Sequence, residues 1–588
     1  MKETTRRDTT KRNMTERDQS GEGRSARNTA EPTGSPAPPT RHQARTGTPG
    51  HTRPPGHTRP HGAGPSRGAV LALARVEALR LLRHPAMLAS LAGYLALWGY
   101  AAATGDPANR YPVLQDESRY LQIPLLLLAI GTLLAANLGI LRGRRHGVEP
   151  LYEVLGLGPR SRTTAHLLSL LPAVALTAVL ALARLGYLAA KPGAVGTVQW
   201  LEIAVPPAAV LLAGALGILL ARLAPSPSVA PLVLAGLAAV TFVAAVQNTA
   251  AWRWLAIVAI EDEFAPPMPS ELVGRPAGWH LLWLLALAGL CAALALLRRA
   301  PGDAPPAVQP GAGPLGTAAA AAAALAILAG TLQTRPLPAN VVQARAEATE
   351  HPVAQQVCTT LDTTEYCAFP EFKGRAQDWD KVVRGVLART PREIADARYA
   401  VRQRMFRGGV ESHRDMPLPQ AAWDADDLRA GTRRAVPVGT WWSEGDAGGD
   451  AAGDAVAEFS TLFAYRVVTA SVPHAPRTDM VCGSRGVLVL WLAGQATDGT
   501  RQALRDLATR SSGGFSFPVL ESATGLGFDS RERELAMSLL ERPADEIGAR
   551  VKASWAELAS ARTSTDRAAQ LLGAPAPAQA PATDGACR

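Results

Sequence analysis

"RGRRHGVEPLYEVLGLGPRSR", residues Arg142 to Arg162, is the stretch on which the reading of the whole chain turns. Arg142, Arg144 and Arg145 stand at one end and Arg160 and Arg162 at the other, with Glu149, Tyr152 and Glu153 between them. Apolar runs flank it on both sides. Moving an arginine to the centre of a bilayer costs roughly 2.5–3.5 kcal/mol, and each large aliphatic residue offsets only about 0.5 kcal/mol. The five arginines therefore hold this loop on the cytoplasmic side, and Arg298 and Arg299 do the same for a later loop.

Outward from this loop, apolar runs near the ~20 residues needed to cross a bilayer lie at about 86–104, 121–141, 166–190, 203–222, 228–247, 280–297 and 315–333. The last is alanine-rich and the least hydrophobic. This predicts an α-helical polytopic membrane protein of about six or seven transmembrane helices. With seven crossings and a cytoplasmic N-terminus, everything after Leu332 lies outside. The expected location is the plasma membrane, multi-pass.

The chain has 588 residues and a net charge of +10, unevenly placed. Residues 1–67 form a basic Pro/Thr/Arg/Gly-rich tail with almost no large apolar side chains, which cannot offset its ordering entropy and reads as disordered. No signal peptide is expected, because the first apolar run starts only after this tail. Basic residues next to apolar runs fit a membrane surface, and the tail lacks the aromatic residues that would suit single-stranded nucleic acid. No nucleic-acid partner is expected.

Residues 68–85 carry Leu71, Leu73, Val76, Leu79 and Leu82 among Arg75, Glu77, Arg80 and Arg83. That pattern is too charged to span and predicts an interfacial helix with its arginines at headgroup level. A stalk helix packed on its neighbours is the alternative. Residues 334–575 have ordinary globular composition and read as an extracytoplasmic α+β domain with more helix than strand; 576–588 is a flexible tail. "DWDKVVRGVLART", "GVLVLWLAGQ", "TRQALRDLATR" and "ELAMSLLERPADEIGARVKASWAELAS" predict helices, the last broken near Pro543. "FSTLFAYRVVTASV" predicts a strand. "SEGDAGGDAAGD", Ser443 to Asp454, reads as a solvated acidic loop, because its acids lack calcium-loop spacing.

An outer location makes disulfides durable. Cys358 and Cys367 close a short loop and are expected to pair, with Cys482 either taking one of them or staying free. A zinc site using His351, His413 or His474 is the weaker reading, since no paired ligand spacing is present. Cys291, in an apolar run, reads as a buried small hydrophobe.

The chain lacks a P-loop, an H-E-x-x-H motif and a G-x-S-x-G elbow, so no catalytic, cofactor or metal residue is assigned and the chain is not expected to be an enzyme. Glu261, Asp262 and Glu263 read as a solvated loop. Arg184, in the third run, is expected to snorkel outward, which is cheaper than the alternative of lining a cavity. No acid is placed mid-span, which disfavours proton or sodium coupling.

The insert then reads as a docking element. Glu149 and Pro150 suit the start of a short helix, Leu151, Tyr152, Val154 and Leu155 give it an apolar side, and Pro159 closes it. Fixing topology alone requires neither the acids nor the aromatic ring. Here "RVEALRLLRHP", "RRHGVEPLYEVLGLGPRSR" and "ELVGRPAGWHLLWLLAL" resemble the permease subunits of ATP-binding-cassette transporters of the second export class, in their actinobacterial form. The resemblance covers about 68–300. It implies that Arg75, Glu77 and Arg80 belong to an elbow helix, and that Glu149, Leu151, Tyr152 and Glu153 contact a separate ATPase subunit that carries the ATP and Mg. Two copies of each subunit would assemble. A seventh span and the outer domain depart from the six-span pattern of that family, although "CAFPEFKGRAQDW" resembles the outer portions of some actinobacterial permease-like proteins. The alternative is a membrane-anchored extracytoplasmic receptor or assembly protein without transport.

Overall fold

The computed structural model describes residues 67–104, 110–145, 157–246, 251–258, 266–298, 313–406, 418–432, 434–443, 455–473, 477–511, 513–578 and 587. The N-terminal tail through residue 66, the acids at 261–263 and all but the first residue of the acidic loop lie outside them.

The first helix, α1 (Arg67–Leu82), exposes Leu71, Val76 and Leu79 together with Arg75 and Arg80. It buries Ala74, Glu77, Ala78 and Leu81. Leucine and arginine side chains thus share the exposed face, while Glu77 points into the bundle. Pro85 opens α2 (Pro85–Ala103), and the His84 ring accepts the Ala86 N–H as its cap, leaving no helical N–H for proline to lose.

Next come α3 (Leu114–Tyr120), α4 (Gln122–Arg145), α5 (Pro159–Leu168), α6 (Leu171–Ala189), α7 (Trp200–Leu223), α8 (Val229–Val246), α9 (Ala277–Leu297) and α10 (Pro314–Gln333). Among the described residues, six helical stretches are long and apolar enough to cross a membrane: Pro85–Ala103, Leu114–Gly143, Pro159–Ala189, Trp200–Leu223, Ala277–Leu297 and Pro314–Gln333. The protein is a helical membrane protein with a smaller sheet-containing region. The alanine-rich run is one of the six. The run expected at 228–247 is α8, whose apolar part, Val229–Ala244, is shorter.

Hydrogen bonds nevertheless place the two flanks of α8 at opposite ends of the bundle. Before it, Arg222 donates to the Pro159 carbonyl at 2.9 Å, beside the start of α5. After it, the Met268 carbonyl accepts from Gln115 at 2.9 Å, beside α3. The chain crosses the bundle between 223 and 268. The 18 residues of α8, at ~1.5 Å each, reach about 27 Å.

Small residues let the central helices approach closely, the packing favoured where lipid offers no hydrophobic drive. Gly217 on α7 lies so near α4 that a Cβ there would sit 2.5 Å from the Leu133 carbonyl oxygen. Asn137 on α4 donates to the Gly217 carbonyl at 3.2 Å.

After α10, α11 (Ala339–Glu350) leads into a domain with two sheets. The first has the order β1 (Val357–Leu361), β2 (Thr364–Ala368), β3 (Tyr399–Gln403), β4 (Val436–Val438). Its β1–β2 pair is antiparallel and the other two are parallel, with α12 (Ala376–Leu387) in the β2–β3 crossover. The second has the order β5 (Thr478–Met480), β7 (Gly525–Phe528), β6 (Phe515–Pro518). The helices of the domain include α13 (Ala455–Thr469), α14 (Gly483–Gly494), α15 (Asp498–Arg510), α16 (Ser530–Leu540) and α17 (Ala544–Ala553), and also Gln420–Arg429 and Thr565–Leu572. Trp379, Trp423, Trp491, Phe459 and Phe463 are fully buried in its core.

The helices expected here are present, including the break at Pro543. The strand expected in "FSTLFAYRVVTASV" is instead α13. Val456, Phe459, Phe463 and Val467 recur at helical spacing and are all buried, so packing along one helix face overrides the β preference of the valines and aromatics.

Cys358 and Cys367 are directly opposed on β1 and β2 and form a disulfide. Cys482 is neither free nor a rival for that pair; it bonds Cys587, 105 residues later. The spacing carried no hint of so distant a partner. Cys291 is a half-buried free thiol in α9.

Candidate functional site

The two ends of the bundle carry different chemistry. At the first end, α4 finishes at Arg145 and α5 begins at Pro159, so both anchors of the arginine-rich insert are defined. The predicted docking residues Glu149, Leu151, Tyr152 and Glu153 lie outside the described residues. The structure does place the frame around them. Glu77 on α1, 6 % exposed, receives Arg80 at 2.7 Å and Arg142 at 3.4 Å. The α1 helix is thus tied to the last turns of α4. Arg75 points to solvent or lipid on the far face of α1. Arg145 is exposed at the end of α4; Arg144 belongs to the same turn. Arg160 and Arg162 lie in the first turn of α5, and Arg222 of α7 bonds Thr163 there. All five predicted topology arginines therefore gather at one end, as does Arg298 at the close of α9.

At the opposite end, three inter-helix loops meet the C-terminal domain. The contact is made by "PEFKGR", Pro370 to Arg375, a 3-10 turn between β2 and α12. The Glu371 carboxylate accepts from the Ser270 N–H at 2.9 Å, from the Ser270 hydroxyl, from Thr197 Oγ1 at 3.3 Å and from Gln115 Nε2 at 3.4 Å. Its carbonyl accepts the Gly196 N–H at 2.9 Å. Arg375, 1 % exposed, donates to the Gly193 carbonyl at 2.6 Å and the Tyr111 carbonyl at 2.7 Å, and its guanidinium lies over the Tyr111 ring. Burial lowers Arg375 to about 10, so it stays charged at neutral pH. Arg345 on α11 adds bonds to the Leu272 and Val273 carbonyls at 2.6 and 2.7 Å.

Gly196 makes this junction possible. Its φ is +87°, and a Cβ there would overlap the Gln115 amide oxygen. Glu371 and Arg375 had no role assigned from sequence. The available signal was an acid and an arginine four residues apart, just after a cysteine-bearing strand. What it lacked was the set of loop carbonyls they meet, which no local pattern encodes.

Two further polar groups sit within the bundle. Arg184 does not snorkel outward. It is 8 % exposed, with its guanidinium 5.7 Å from the Trp98 and Tyr187 ring centres, an aromatic enclosure that replaces water. Glu202 is buried in the first turn of α7, not mid-helix, and is paired with Arg275 at 2.7 Å and Gln122 at 2.5 Å.

For the zinc reading, His351 lies beside Arg429 at 3.2 Å, while His413 and His474 lie outside the described residues. Two clusters of possible metal ligands occur among the described residues, and each uses cysteine sulfur already committed to a disulfide. No protein-family model, curated protein or solved structure matches the chain.

Proposed function

We propose that this chain is the permease subunit of an ATP-driven exporter and couples to a separate nucleotide-binding subunit through the insert between α4 and α5. In this reading the insert end faces the cytoplasm, and Glu149, Leu151, Tyr152 and Glu153 grip the partner. The C-terminal domain lies outside and gates or receives the cargo. No covalent chemistry is assigned to this chain; ATP and Mg belong to the partner, and two copies of each subunit assemble in the plasma membrane.

The observation that carries the reading is mechanical. The helices that bracket the insert are tied at their bases by Glu77, Arg142 and Arg222, and their far ends run into the loops held by Glu371 and Arg375. A push on the insert would therefore be delivered through α4, α6 and α7 to the C-terminal domain. A passive anchor, the alternative, has no need for this continuity.

The test is purification of the full chain with its native partners in mild detergent, followed by an ATPase assay. Wild type should bring down ATP hydrolysis. A Tyr152→Ala, Glu153→Ala double variant should still insert but lose that activity by at least about tenfold, the scale of a lost docking hot spot. Equal activity in both, or none in wild type, would favour the anchor reading.

A further inference from the structure

A cavity of about 280 Å³ lies at the insert end, between α1, α4, α5 and α7. Its walls include Glu77, Arg80, His84, Arg142, Arg145 and His166. Three guanidinium groups thus face one carboxylate. Arg80 and Arg142 each touch Glu77 through a single nitrogen, although a guanidinium carries five N–H donors. Their side chains are 52 % and 44 % exposed and both line the cavity, so each keeps N–H donors that Glu77 does not use. Arg145 has no ion pair or hydrogen bond among the described residues. The site has an excess of positive charge and of donors, and room for more than water.

Its position narrows the ligand. The outer face of α1 exposes Leu71 and Leu79 beside Arg80, which sets this helix at the boundary between acyl chains and headgroups. Arg80 of this helix also lines the cavity. Basic pockets between transmembrane helices at this level suit anionic headgroups.

We infer that this cavity is a seat for a phosphate-ester group, with Arg80, Arg142 and Arg145 as the donors and Glu77 holding two of them in place. The chemistry is shared by an anionic glycerophospholipid and by a soluble phosphate ester. Neither requires the transport reading.

The test uses the full chain in uncharged detergent. Retention of dioleoylphosphatidylglycerol against dioleoylphosphatidylcholine is read by native mass spectrometry. Wild type should keep the anionic lipid selectively, and Arg145→Gln should weaken it about fivefold, the share of one arginine near an anionic lipid surface. Arg145 supports no other described contact, so the variant is expected to fold. Arg75→Gln, on the far face of α1, should change nothing. Adding inorganic phosphate or glycerol 3-phosphate separates the two sources: displacement of the lipid assigns the seat to a soluble ester, and unchanged retention assigns it to lipid. Equal retention of both lipids with no binding of either soluble phosphate overturns the inference. So does an equal loss in Arg75→Gln and Arg145→Gln, which would mean only diffuse attraction.

Discussion

The two ends of the helical bundle are held by the same kinds of residue under opposite conditions. At the domain end, Glu371 and Arg375 form a dense set of bonds to loop backbone, and Arg375 is wholly enclosed. At the insert end, Glu77 is buried but both of its arginines are about half exposed. Hydrogen bonds to a buried charge contribute about 1.5–3 kcal/mol each, whereas ion pairs with an exposed partner contribute about 0–1 kcal/mol. One end is therefore fixed and the other can be rearranged cheaply. This asymmetry fits the proposed reading, in which force enters at the insert end.

Four substitutions would break or sharpen the contrast. Arg375→Met removes a buried cation and strands the Gly193 and Tyr111 carbonyls; it should cost roughly 3–5 kcal/mol. Limited proteolysis should then release the C-terminal domain, and an unchanged digestion pattern would mean the junction is not the fixed end. Cys482→Ser opens the long disulfide loop and should cost about 2–4 kcal/mol. The loss should appear as a lower Tm under oxidising conditions and vanish when both proteins are compared in reductant. Gly196→Ala puts a Cβ into Gln115 at positive φ, at about 1–3 kcal/mol. Its digestion pattern should lie between those of wild type and Arg375→Met. Arg80→Gln, at the insert end, should change Tm by an amount corresponding to less than about 1 kcal/mol. If it destabilised as much as Arg375→Met, the two ends would be equivalent and the asymmetry lost.

The membrane helices were legible because length and apolar composition suffice to specify them. Even the alanine-rich Pro314–Gln333 was found this way. The gathering of Arg142, Arg145, Arg160 and Arg162 at one end was legible from charge alone, and the Cys358–Cys367 pair from proximity. Long-range partners were not. Nothing near Cys482 announces Cys587, and nothing near Glu371 announces Ser270 or Gln115. Glu77 was placed in its helix, but a helix only weakly segregated between apolar and charged faces does not reveal which face is covered. Arg184 was misplaced because the aromatic enclosure comes from α2 as well as from its own helix. The strand assigned over Phe459–Val472 failed because β-branched residues were weighed by preference rather than by the helical spacing of those that become buried.

The central claim is that the two ends face opposite sides of the membrane, with the insert end inside. Single-cysteine variants at Asp498, fully exposed on the C-terminal domain, and at Arg160, exposed at the start of α5, test it with an impermeant maleimide on intact cells. The account predicts labelling of Asp498→Cys in intact cells and of Arg160→Cys only after permeabilisation. Labelling of Arg160→Cys from outside, or protection of Asp498→Cys until the cells are opened, would contradict it.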